Sequence, residues 1–146
     1  MNKKKDETAR LLDEIYKNAA MGAGTTKHLL NGQRGKELRE SLQKQYAEYR
    51  AVCRSASNAA KARGRAVKGL TRMQKMRTDG GVSLNLLFDR SDSHVAKLLV
   101  NGSTMGVIKA QQELSKNAGA DKEARALMQH LSDYELSTID AMREYL

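Results

Sequence analysis

Residues 91–114 read SDSHVAKLLVNGSTMGVIKAQQEL, and this stretch decides the fold. Ser91-Asp92-Ser93 offers several side-chain oxygens for capping a helix N-terminus. From there Val95, Leu99, Gly102, Gly106, Ala110 and Leu114 recur three and four residues apart, which draws a single stripe down a helix. The stripe stops near Asn117-Ala118-Gly119, a helix-stop signal. An amphipathic helix is predicted, with two glycines in the middle of its inward face.

Three other stretches repeat the pattern. Leu12, Ile15, Ala19, Gly22, Thr26 and Leu29 form a stripe that ends at the turn signal Asn31-Gly32. Leu38, Leu42, Tyr46, Tyr49, Cys53, Ala56 and Ala60 form a second. Ala124, Leu127, Leu131, Tyr134, Thr138, Ala141 and Tyr145 form another, starting at about Asp121. The chain of 146 residues has no Pro and is rich in helix-forming Ala, Leu, Lys, Glu, Gln and Arg. An all-α single domain with four long helices follows: a hairpin over 8–60, a crossover over 61–91 and a second hairpin over 92–145.

The two hairpins look related. Met21-Gly22 recurs as Met105-Gly106, 84 positions on, while Leu42, Tyr49 and Ala56 recur as Leu127, Tyr134 and Ala141, 85 positions on. Glycine inside a helix costs on the order of 1 kcal/mol relative to Ala, a cost that close approach of two helices offsets. The Met-Gly pairs are therefore expected at tight helix packing. The hairpin–crossover–hairpin plan resembles the ferritin-like superfamily of four-helix bundles, whose connectivity has one long, partly helical crossover. Residues 93–110, SHVAKLLVNGSTMGVIKA, resemble a motif in small bacterial helical-bundle proteins of uncharacterised function.

The ferritin-like resemblance raises a di-metal centre, which needs two bridging Glu residues and two Glu-x-x-His pairs. No Glu-x-x-His occurs: His28, His94 and His130 follow Thr25, Ser91 and Leu127 at that spacing. No metal or other cofactor is expected. A single-ion variant would draw on His130, Asp133 and Glu48, with Glu135 and Gln45 nearby; these residues flank the apolar stripes and are expected in water. Cys53 falls on a stripe and reads as a buried, inert thiol. Tyr46, Tyr49 and Tyr134 read as core aromatics, and most of the seven Met as core filler.

Charge is unevenly placed. Residues 1–49 carry 10 basic and 7 acidic side chains, and residues 78–146 carry 7 and 10, so these cancel. Residues 50–77 carry nine basic side chains and no acid, which is the whole formal excess of +9. Within it Lys61, Arg65, Lys68, Arg72 and Lys75 are spaced four, three, four and three; on a helix they form one basic stripe, though Gly64 and Gly69 weaken that helix and leave room for part of it as loop. That segment is the expected contact surface, and the helix of the 61–91 crossover is expected to break at Gly80-Gly81.

The leading functional expectation is a non-catalytic bundle for protein interaction or self-assembly, its partner an acidic protein or another copy. Sequence-independent nucleic-acid binding through 50–77 is the alternative, without base stacking, since no aromatic lies between Tyr49 and Phe88. Atypical metal binding is the third reading. No long apolar run or secretory leader is present, so a cytoplasmic protein without membrane contact is expected.

Overall fold

The computed structural model describes residues 2–32, 35–71, 74 and 91–146. Helix α1 spans Lys3–Leu30, α2 Lys36–Ala62, α3 Asp92–Lys116 and α4 Lys122–Met142, followed by a short 3-10 turn over Arg143–Tyr145. The chain is an all-α four-helix bundle, and no strand occurs among the described residues. No helix is long and apolar enough to cross a membrane among those residues.

Local chemistry sets the helix ends. Asn2 caps α1 by accepting from the Lys4 backbone N–H at 3.1 Å. Ser91 caps α3 by accepting from the His94 N–H at 3.2 Å, as its serine-rich start predicts. α2 ends in a Schellman motif: Gly64, at φ +77°, donates to the Lys61 carbonyl, and Arg65 donates to that of Ala60. A left-handed glycine at this point stops the helix, so residues 65–71 are not helical.

Within the described residues this ends the helical part of the basic stripe after Lys61, at the first of the two glycines that weaken it. Arg65 turns back onto α1, where its guanidinium donates to both oxygens of Asp13, at 3.0 and 3.2 Å, and to the Ala9 carbonyl. The Lys68 backbone N–H adds a bond to Asp13 at 2.9 Å. The first part of the crossover is thereby fastened to the first half of α1. The expected break at Gly80-Gly81 lies outside the described residues.

α1 packs mainly on α2, and α3 on α4. The start of α1, the ends of α2 and α3 and the start of α4 share one end of the bundle. There Asp121 pairs with Lys4 and Arg63, and its N–H donates to Thr8 Oγ1. Arg125 donates to the last carbonyls of α3, at Leu114 and Asn117. α1 and α4 therefore run one way and α2 and α3 the other.

The apolar core is in two parts. One cluster, towards the Asp121 end, includes Leu11, Leu12, Ile15, Val52, Ala110, Met128 and Leu131. The other, at the far end, joins Leu29, Leu38, Leu42, Val95, Ala96, Leu99 and Met142. Between their members each helix contributes a buried polar residue: Thr26 from α1, Gln45 from α2, Ser103 from α3, and Glu135 with Thr138 from α4. The bundle thus carries a polar layer at mid-height.

Two sequence expectations change here. The buried face of α4 is Ala124, Met128, Leu131, Glu135, Thr138 and Met142, rotated from the expected stripe, with Leu127 and Tyr134 only half-buried and Ala141 exposed. Met21 and Met105, expected at packing positions, are 44% and 71% exposed.

Candidate functional site

The polar layer opens to the outside through missing side chains. A Cβ on Gly22 would lie 2.6 Å from the ring of Tyr49, and one on Gly106 would run into the Glu135 carboxyl. Ring and carboxyl are seated on bare helix backbone. Gly102, one turn before Gly106, has nothing within 4 Å of where its Cβ would stand. Between α1 and α3, and bordered by Leu70 and Gln74 of the crossover, lies a groove of about 430 Å³. Buried Tyr49, Ser103 and Glu135 form its floor, while Met21, Leu98 and Met105 form its walls. The Asn18 amide spans the groove and donates to the Gly106 carbonyl at 3.1 Å.

Glu135 is the one charged residue of the layer. It is 3% exposed, and its Oε2 is closed off from solvent with no hydrogen-bond partner. Burial pushes its carboxyl up to about 8, because the ionised form would lose its hydration without gaining a donor. At neutral pH the floor therefore presents a neutral acid. Burial, and then the Glu135 charge, also hold the Tyr49 phenol well above its ordinary range, against a smaller opposing effect of the Ser103 hydroxyl. Tyr49 meets Tyr134 edge to face, with centroids 5.8 Å apart and planes at 88°. The Tyr134 phenol is raised by burial first and by Glu48 second.

Sequence periodicity placed Glu135 and Gln45 in water; both are buried. Choosing the most apolar phase of α4, through Leu127, Tyr134 and Ala141, hid the carboxyl. The alternative phase, 124–128–131–135–138–142, has regular spacing of four and three, and it contains one acid. An acid on an otherwise apolar phase was the available signal.

The other candidates separate. Lys61 is exposed, and so is Lys68, whose backbone N–H is held by Asp13. Arg65 is half-buried on Asp13 and is not a free contact residue. Arg72 and Lys75 lie outside the described residues. His130 Nε2 and Glu48 Oε1 meet at 2.7 Å on the bundle surface, but Asp133 accepts from Gln129 instead. Among the described residues no three His, Cys, Asp or Glu side chains come together as a metal site. Cys53 is buried, its thiol pushed up by loss of solvation.

A second cleft, of about 510 Å³, lies between α1, α2 and the start of the crossover. It brings Lys27 and Arg50 beside Tyr16 and Tyr46. The basic segment has no aromatic of its own between Tyr49 and Phe88; in space Tyr16 and Tyr46, from α1 and α2, line the same cleft as its Arg50.

Two measurements probe this geometry. Gly22→Ala is expected to lose about 1–3 kcal/mol in urea unfolding, because the Tyr49 ring has to give way. Gly24→Ala, with nothing within 4 Å of its Cβ, gains about 1 kcal/mol from helix propensity. The second concerns pH. Between the ordinary carboxyl value of 4.5 and about 8, the folded chain keeps a Glu135 proton that the unfolded chain has released. The Glu135 contribution is fully present below about 4.5, falls as pH rises through that window and levels off above it. Thermal unfolding of Glu135→Gln across the same range is expected to lack this decline, leaving the variant more stable than the parent at about pH 9.

No family model, curated protein or solved structure matches the chain.

Proposed function

We propose that the protein is a non-catalytic binding bundle that takes a small, largely apolar organic molecule into the groove between α1 and α3. The observation that carries this reading is a buried carboxyl without a partner at the bundle centre, reached from outside along three glycines. Concave, mainly apolar sites with a few convergent polar groups are the usual form of small-molecule pockets, and 430 Å³ is within their usual range. The groove argues against chemistry of its own: the Tyr49 phenol is held protonated, and Glu135 is neutral at the working pH. Relative to the sequence-based expectation, the contact surface moves from the basic crossover to the Met-Gly positions. Kinship with ferritin-like bundles remains part of this proposal, supported by the antiparallel order of the helices.

The test is a library of amphiphilic fragments followed by amide NMR. Ligands are expected to move the amides of Gly102, Ser103 and Gly106 and to raise the melting temperature. Gly102→Leu, which places a side chain in open space, should fold and lose both effects. A library in which no fragment moves these amides would remove the reading.

The second cleft favours one further reading, binding of single-stranded nucleic acid. Lys27, Arg50 and the exposed Arg54 and Lys61 supply phosphate contacts, and Tyr16 and Tyr46 supply stacking faces. Labelled single strands across a salt series are expected to show steeply salt-dependent binding. Tyr46→Ala should weaken single strands more than duplex, and no binding at low salt ends this alternative.

A further inference from the structure

We propose that the groove between α1 and α3 receives an amphiphilic organic cation, its ammonium set against the Glu135 carboxyl and its apolar body lying along Met21, Leu98 and Met105. This deepens the reading of the groove as a binding site and rests on it.

Glu135 Oε2 is buried and has no donor facing it. Buried polar atoms are nearly always paired, and each exception in a native fold calls for a reason. The two lysines at the groove are engaged elsewhere: Lys17 with Glu14 at 3.7 Å and Lys109 with Glu113 at 3.1 Å. Among the described residues, then, the fold brings an acid to the centre of the bundle and supplies no cation to it. A ligand anion in that place would meet a carboxyl and two hydroxyls, with the two groove lysines already paired to Glu14 and Glu113. An alcohol would add one hydrogen bond and leave the acid uncharged. An ammonium supplies both the missing donor and the missing charge, in a site with apolar walls where charge pairing is stronger than in water. Two flexible methionines on the walls suit an alkyl body of variable shape.

Binding has a proton balance. Glu135 is protonated in the free protein at neutral pH, since burial pushes it up to about 8. An alkylammonium keeps its charge there, as a lysine side chain does. Neutral acid plus cation becomes an ion pair, and one proton leaves Glu135 for the solvent. The other titratable groups facing the groove floor or its rim are Glu14 and Lys17 from α1, Tyr49 from α2, Lys109 from α3, and the neighbouring Tyr134 on α4. Burial holds both tyrosines above their ordinary range. Affinity for the cation should rise about tenfold per pH unit up to about 8 and then level off.

The experiment is titration calorimetry of the intact chain with hexylammonium, 1-hexanol and hexanoate, at about pH 6, 7 and 8, in buffers of different ionisation enthalpy. Hexylammonium is expected to bind tightest, with one proton released per ligand and the stated rise with pH. Glu135→Gln should weaken it at least tenfold and abolish the proton release, and Gly102→Leu should block all three probes. If that glutamine variant failed to fold, the proton count of the parent protein would still decide. Hexanol or hexanoate binding as well as the ammonium, without proton release, would overturn the cation and leave the groove as a site of other chemistry. If none of the three produced heat or moved the amides of Gly102 and Gly106, the groove itself would fall with it.

Discussion

A tyrosine ring and a carboxyl pressed onto helix backbone set the terms for the rest of this bundle. Gly22 and Gly106 are needed where they stand because Tyr49 and Glu135 occupy the space their side chains would take. With those positions bare, the neighbouring Gly102 leaves a gap that none of the described residues fills, and the apolar core divides into a cluster on either side. Helix propensity is given up at three places to bring two polar side chains to the centre. A bundle selected for packing alone would place leucines there. The cost is understandable if the polar layer and its opening are what the chain is for.

Much of the fold was legible from spacing. The stripe in α1 is buried as read, through Leu12, Ile15, Ala19, Thr26 and Leu29, because one phase of that helix is clearly more apolar than the others. α4 is different: two adjacent phases compete, and the one with Leu127 and Tyr134 carries more apolar area than the one with Glu135. Periodicity alone chooses the former. Tertiary packing chooses the latter, since Met128, Leu131 and Met142 fill the two clusters and bring the acid between them. The internal repeat does not extend to the glycine contacts. It aligns Tyr134 with Tyr49, yet the group seated on Gly106 is the residue after Tyr134.

The basic segment shows a second limit of pattern reading. Lys61, Arg65 and Lys68 have helical spacing, but one glycine at φ +77° ends the helix before that spacing takes effect. Asp13, far away in sequence and unremarkable on its own, then receives both a guanidinium and a backbone N–H. Charges that count as an uncompensated excess along the chain are partly matched in space: Arg65 by Asp13 and Arg63 by Asp121. Those pairs fasten the end of the first hairpin to α1 and to the start of α4. The same segment gains, from α1 and α2, the aromatic neighbours that its own sequence lacks.

The edge-to-face contact between Tyr49 and Tyr134 joins the two hairpins, since one ring belongs to α2 and the other to α4. The chain has no Trp and a single Phe, so its near-ultraviolet circular dichroism comes almost entirely from five tyrosines. Backbone ellipticity reports helices whether or not the hairpins have met, whereas the asymmetric environment of this ring pair exists only once they have docked. A state with both hairpins helical but apart would keep its far-ultraviolet spectrum and lose the aromatic one. The tyrosine pair thus gives the protein a built-in optical reporter that separates forming the helices from assembling the bundle.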